Sequence, residues 1–177
     1  MDTERWEQVA AFHGHKCPGL AIGFRAVEAA ERELGIGRSG DEEVVCVTEN
    51  DACGVDAVQV LLSCTAGKGN LIFKPTGKMA FSFFERGSGK SIRVYLKAQN
   101  DAGASREEWQ HALLAMPLDE VFAFSDPGFD VPEQARLFAS ITCAECGEMV
   151  PEHRVRMQNE KLVCLDCFND YDRGWFK

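Results

Sequence analysis

No stretch of this 177-residue sequence approaches the roughly 20 apolar residues needed to span a bilayer, so a membrane-spanning helix is not expected. The opening residues, MDTERWEQVA, are polar and acidic and lack the apolar centre of a secretory signal. Export is therefore not expected, and the cytoplasm is the expected location. Basic residues are scarce: 19 Lys and Arg stand against 28 Asp and Glu, a formal net charge of −9. A duplex-binding protein shows the opposite balance, which makes nucleic acid a poor partner. There is no internal repeat and no low-complexity segment. GKGN at 67–70 lacks the length and the GK[ST] ending of a phosphate-binding loop. With 45% apolar and 27% charged residues the chain is globular rather than disordered, and it is long enough to bury a core.

The eight cysteines are distributed unevenly. Cys17, Cys46, Cys53 and Cys64 lie early, Cys143, Cys146, Cys164 and Cys167 lie late, and none falls between. In a reducing compartment such cysteines read as metal ligands, reactive thiols or core residues before they read as disulfides. The division suggests two units, a core domain over 1–130 and a linker strand with a four-cysteine module over 131–177.

Periodicity predicts a helix over 3–12 with Thr3 as its cap. A second helix is predicted over 18–34, with Pro18 at its first position, Cys17 at the cap and Gly35 as the stop. VVCVT (44–48) reads as a buried strand and 54–64 as a helix. LIF (71–73), MAFSFF (79–84) and SIRVYL (91–96) read as strands joined by Gly-containing turns. Ser105 and Glu108 make a capping box for a helix over 106–115. Residues 118–124 fit either a helical turn or a strand, and SDPGFDVPE (125–133) reads as a linker. The expected class is α+β: a mixed sheet flanked by helices, followed by a small metal module.

CAEC (143–146) and CLDC (164–167) match a tetrahedral all-thiolate zinc site, with Gly147 allowing the tight turn after the first pair. HRVRM and KLVC read as a hairpin and LDCFNDYDR as the start of a helix, together a treble-clef zinc finger. Four protein ligands leave no open position, so this zinc is structural. From 141 onward the tail carries seven acidic and five basic residues, which favours stabilisation or a protein partner over DNA.

The second constellation is HGHKCPGL (13–20) with ENDACGVDA (49–57). In an extended segment His13, His15 and Cys17 fall on one side. Cys17 and Cys53 each stand where a helix begins, and the positive helix end favours a thiolate there. His15, Cys17 and Cys53 are the expected ligands of a second zinc or other divalent metal, its fourth position open as in catalytic sites. Cys17, Asp51 and Asp56 are the expected catalytic residues, the two carboxylates serving as base or as support for the ligands. Other readings stand beside these: His13 as ligand or as packing residue, Cys53 as core, Asp51 as N-cap. Cys46 and Cys64 read as core.

FHGHKCPGLAIGFRA, ENDACGVDAVQVLLSCTAGKGNLIFKPTGKMAF and the CxxCGE and CxxC tail together resemble the FmdE family of proteins, named after formylmethanofuran dehydrogenase. The resemblance implies an α+β core, an accessory zinc finger and a metal-binding site from the HxC and DxC segments, here His15, Cys17, Asp51 and Cys53. The family takes its name from genes neighbouring a molybdenum or tungsten enzyme that fixes carbon dioxide onto methanofuran, which implies a link to methanogenesis-related one-carbon metabolism. The chain is too short to hold a pterin enzyme and has no iron–sulfur cysteine run. Three functions are compatible: a zinc-dependent enzyme or accessory subunit, a non-catalytic metal-binding or chaperone module, and a thiol redox protein using Cys17 and Cys53. The first 140 residues contain no CxxC, so a redox pair would have to come from distant segments. A small-molecule ligand, a homodimer and membership of an enzyme complex are the expected partners.

Overall fold

The structure, a computed structural model, describes residues 2–100 and 103–171. The chain divides into two compact units, Met1–Ala135 and Arg136–Lys177.

The first unit contains α1 (Thr3–His13), α2 (Pro18–Leu34), β1 (Val44–Thr48), α3 (Gly54–Leu62), β2 (Leu71–Phe73), β3 (Ala80–Glu85), β4 (Ser91–Leu96), α4 (Arg106–Ala115), α5 (Leu118–Val121) and β5 (Phe122–Ser125). The strands form one sheet in the order β2-β1-β3-β4-β5. β1 pairs with β2 in parallel and with β3 antiparallel, so Cys46 lies opposite both Leu71 and Phe83. The remaining pairs are antiparallel. This is the mixed sheet of an α+β domain, and α3 supplies the crossover that a parallel pair requires.

Strand alternation sends Val44, Cys46, Phe81 and Phe83 into the main core with the helices. Val45, Val47 and Phe84 form a smaller cluster with Ile72 and Phe129. A strand covered on both faces reads as a continuous apolar run, which is why VVCVT shows no alternation in the sequence. α2 is buried over most of its circumference. Trp6 of α1 meets Phe24 of α2 edge-on, with ring centroids 5.4 Å apart. Phe24, Phe81, Phe83 and Phe122 are fully buried, each contributing about 1.5–3 kcal/mol of transfer free energy. The buried Arg25 on α2 donates to Glu28 Oε2 at 2.5 Å and to the Met116 carbonyl at 2.6 Å.

α2 and α3 cross backbone to backbone. A Cβ on Gly23 would lie 2.1 Å from the Gly54 carbonyl oxygen, and one on Gly54 would lie 3.1 Å from Gly23 Cα. One turn earlier, a Cβ on Gly19 would lie 3.2 Å from Cys53 Cβ. The glycines let the two helices touch, and the contact brings the start of α3 against the start of α2.

Several boundaries differ from expectation. Asp2, not Thr3, caps α1, accepting from the Glu4 and Arg5 amides at 3.0 and 3.2 Å. α3 ends at Leu62 because Ser63 turns left-handed, at φ 57°. Cys64 then lies beyond the helix, its thiol donating to the Val44 carbonyl at 3.5 Å. Burial pushes Cys64 up to about 12 and raises Cys46 well above the usual thiol range. Residues 118–125 satisfy both readings in turn, a single helical turn and then a strand. Residues 131–135 belong with the first unit: the Ala135 amide donates to both Glu42 carboxylate oxygens, at 3.2 and 3.1 Å.

The second unit has two hairpins, β6 (Ser140–Thr142) with β7 (Met149–Pro151) and β8 (Val155–Gln158) with β9 (Lys161–Cys164), and a 3₁₀ turn at Glu152–Arg154. Asn159 and Glu160 both take positive φ, 49° and 64°, the conformation of a two-residue hairpin turn. The helix expected to start in 165–173 does not form among the described residues, where 165–167 are turn and 168–171 irregular. Among the described residues no helix is long and apolar enough to cross a membrane.

Gly23→Ala should destabilise the protein by about 3 kcal/mol, because the new Cβ meets rigid backbone. A loose crossing would give the opposite sign, since Ala is favoured over Gly in a helix by about 1 kcal/mol; a urea titration decides between them. Glu49 supplies a test that depends on pH. It is buried and held below the usual carboxylate range first by Arg93, at 2.5 and 3.1 Å, and then by Thr76 against the cost of burial. A depressed folded-state pKa makes this stabilisation fully present above the ordinary Glu range and lost as pH falls through the lower folded value. Glu49→Gln should therefore cost about 3 kcal/mol at pH 7, and the gap should narrow on acidification below the ordinary Glu range. Urea midpoints of both proteins across that range test it, and a gap independent of pH would contradict it.

Candidate metal centre

Cys17 caps α2, its Sγ accepting from the Leu20 amide at 3.3 Å. Cys53 occupies the N-cap position of α3. The α2–α3 crossing places these two thiols side by side, although the chain between them builds a strand and most of a helix. His13, the last residue of α1, completes the group. One ligand atom from each of His13, Cys17 and Cys53 lies within 4.8 Å of the others. His13 Nε2 is 3.9 Å from Cys17 Sγ, less than the about 4.3 Å spanned by collinear Zn–S and Zn–N bonds. Cys17 is buried, and His13 and Cys53 are partly so.

The other imidazole nitrogen is committed. His13 Nδ1 donates to Asp56 Oδ2 at 2.7 Å, and Asp56 Oδ1 accepts from Gln59 Nε2 at 3.0 Å. An ionised carboxylate only accepts, so the proton sits on Nδ1 and the Nε2 lone pair faces the thiols. A carboxylate behind a histidine is the usual support of a metal-bound imidazole. Burial, and then Cys17 beside it, raises Cys53 above the usual thiol range. Without a cation this thiol keeps its proton, whereas a divalent ion reverses the balance.

The structure brings together Cys17, Cys53 and, one step behind, Asp56. It does not bring in His15. The expected arrangement of His13, His15 and Cys17 assumed an extended segment, but His13 ends a helix and Gly14 turns left-handed at φ 88°. That turn brings His13 over Cys17 and leaves His15 exposed, its ring 4.4 Å from that of His13. Asp51 is exposed, lies outside the group and does not cap α3. The polar residue that shapes the loop is the buried Asn50. Its Oδ1 accepts from the Ala52 amide at 3.2 Å, and its Nδ2 donates to the Lys78 and Ala80 carbonyls at 3.2 and 3.4 Å. Only the Asn's tendency to hydrogen-bond its own loop hinted at this in the sequence.

In the second unit the sulfurs of Cys143, Cys146, Cys164 and Cys167 lie within 4.8 Å of one another. Cys143 sits in the β6–β7 turn, and the Cys146, Cys164 and Glu145 amides lower its thiol to about 6. Neighbouring sulfurs push Cys167 up to about 12. Four thiols on one point, one of them already acidic, are a donor set suited to structural zinc.

A helix-flanked mixed sheet with an imidazole–thiol cluster, followed by a four-cysteine module, defines a two-part α+β metalloprotein class. The family described as "FmdE, Molybdenum formylmethanofuran dehydrogenase operon" matches residues 12–123, and the chain belongs to it. The family "Prokaryotic dksA/traR C4-type zinc finger" matches residues 136–173. The chain is similar to a crystal structure of an FmdE-like protein of tungsten formylmethanofuran dehydrogenase from Syntrophus aciditrophicus, with a TM-score of 0.69 and 25% identity over 93% of this chain and 90% of that one. It is also 29% identical over 192 residues to a probable S-adenosyl-L-methionine-binding protein of Archaeoglobus fulgidus, covering 90% of this chain. The chain spans about half the length of that relative, 51%.

Cys143→Ser should release one equivalent of zinc and open the tail to limited proteolysis, because the finger buries only Cys143, Val163 and Cys164 fully. Residues 2–135 should retain their melting transition. Unchanged metal content and an unchanged digest would contradict this.

Proposed function

We propose that His13, Cys17 and Cys53 hold a zinc ion and that the chain is a zinc-dependent enzyme or accessory subunit in formylmethanofuran dehydrogenase-type one-carbon metabolism. The carrying observation is the convergence of one imidazole and two thiols from three separate helix ends, with Asp56 behind the imidazole. One nitrogen and two sulfurs suit zinc, and three protein ligands leave a fourth position. Zinc there supplies Lewis-acid polarisation of a substrate oxygen or sulfur. The residues divide the remaining work. Asp56 fixes the tautomer and rotation of His13. The Leu20 amide and the α2 N-terminus stabilise negative charge on Cys17. The Gly23–Gly54 contact sets the spacing of the two sulfurs. The family's name and its Syntrophus member supply the link to one-carbon metabolism, an association of genes rather than a mechanism.

Metal analysis tests this reading. The wild-type protein should carry two equivalents of zinc, one for each cluster. Cys17→Ala and His13→Ala should each carry one, and His15→Ala should keep two. Asp56→Asn should keep the fold but weaken core zinc by about 10–100-fold in a chelator competition. A wild-type protein holding a single equivalent, or Cys17→Ala retaining two, would overturn the assignment.

A further inference from the structure

Beside the thiol cluster runs a groove of about 640 Å³, within the range of small-molecule sites. His15, Lys16 and Cys17 line one side, and Arg106, Gln110 and His111 of α4 line the other; Glu107 is its only acid. Two observations there remain unexplained by the fold. Gln110 is 94% buried (6% exposed), yet among the described residues its side-chain amide has no hydrogen-bond partner. A buried amide left unpaired is costly, and this one borders open space next to Cys17. Arg106 is exposed and, among the described residues, makes no hydrogen bond or ion pair. It also stands at the first position of α4, where a positive charge opposes the helix dipole.

The lining is cationic in a chain whose net charge is −9. Lys16 pairs with Glu7 at 2.5 Å, but both side chains are about half exposed, and such a pair exchanges partners at little cost. The first turn of α2, behind Cys17, carries no acid.

We propose that this groove binds a small organic anion, its carboxylate or phosphate held by Arg106 with Lys16 and its polar body hydrogen-bonded by the Gln110 amide, so that the remainder reaches Cys17. This substrate class rests on the reading of Cys17 and Cys53 as a metal centre. The guanidinium fork matches either oxyanion, the amide offers both a donor and an acceptor, and a neutral ligand would leave Arg106 unused. His15 finds its place here: turned away from the thiol cluster, it lines the entrance rather than ligating.

Isothermal titration of the full zinc-loaded protein with succinate, glycerol phosphate and neutral succinamide tests the proposal. At least one anion should bind saturably and succinamide should not; the tighter anion identifies the charged group. Arg106→Ala should weaken that binding about ten-fold or more, Arg106→Lys less, and Gln110→Leu about five-fold, with melting transitions showing that each variant folds. No saturable anion binding, or an affinity indifferent to Arg106, overturns the proposal. Zinc analysis of the same samples separates the two readings. One equivalent of zinc with Arg106-dependent binding overturns the metal centre but sustains the groove. Two equivalents with Arg106-independent binding overturn the groove alone.

Discussion

At Gly23 and Gly54 two helices meet through their main chains, and the first unit is organised around that contact. A methyl group on Gly23 would occupy the position of the opposing carbonyl. Everything functional in the core lies one turn away: Gly19 admits Cys53, Cys17 caps one helix, and Cys53 begins the other. Interiors packed at crystal-like density transmit such spacing without slack. The distance between the two sulfurs is thus fixed by residues that carry no side chain.

The contact also explains how donors from three helix ends reach one point. α1 ends at His13, and its left-handed Gly14 returns the chain to Cys17. α2 then runs under the sheet, and α3 returns as the crossover between parallel β1 and β2. Each donor stands at a helix terminus, where backbone groups are not all used within the helix. The finger reaches its geometry by other means: two tight turns, one opened by Gly147 at φ 79°, gather four thiols, with few apolar contacts between the hairpins.

Much of this was legible in the sequence. α2, β1, β4 and α4 begin and end where periodicity and caps placed them, because Pro18, Gly35 and the Ser105–Glu108 box are local signals that tertiary packing had no reason to override. The meeting of Cys17 with Cys53 was legible from their shared place at helix starts. The choice between His13 and His15 was not, since it turns on whether one glycine continues an extended run or reverses it. Asn50 and Gln110 were missed because a polar residue gives no sign in sequence of whether it will be buried. The helix expected after Cys164 rested on analogy with one finger architecture, and the described residues there form a turn instead.

The sheet narrows toward its margins. β3 and β4, inside, are six residues long, while β2 and β5, at the edges, have three and four. Short edges offer little unpaired ladder for another strand to join. A second copy of this chain would find only a brief hydrogen-bonding margin, so self-association must be built from side chains on helices or sheet faces. Lengthening either edge strand by design would remove that protection and expose the domain to runaway strand pairing.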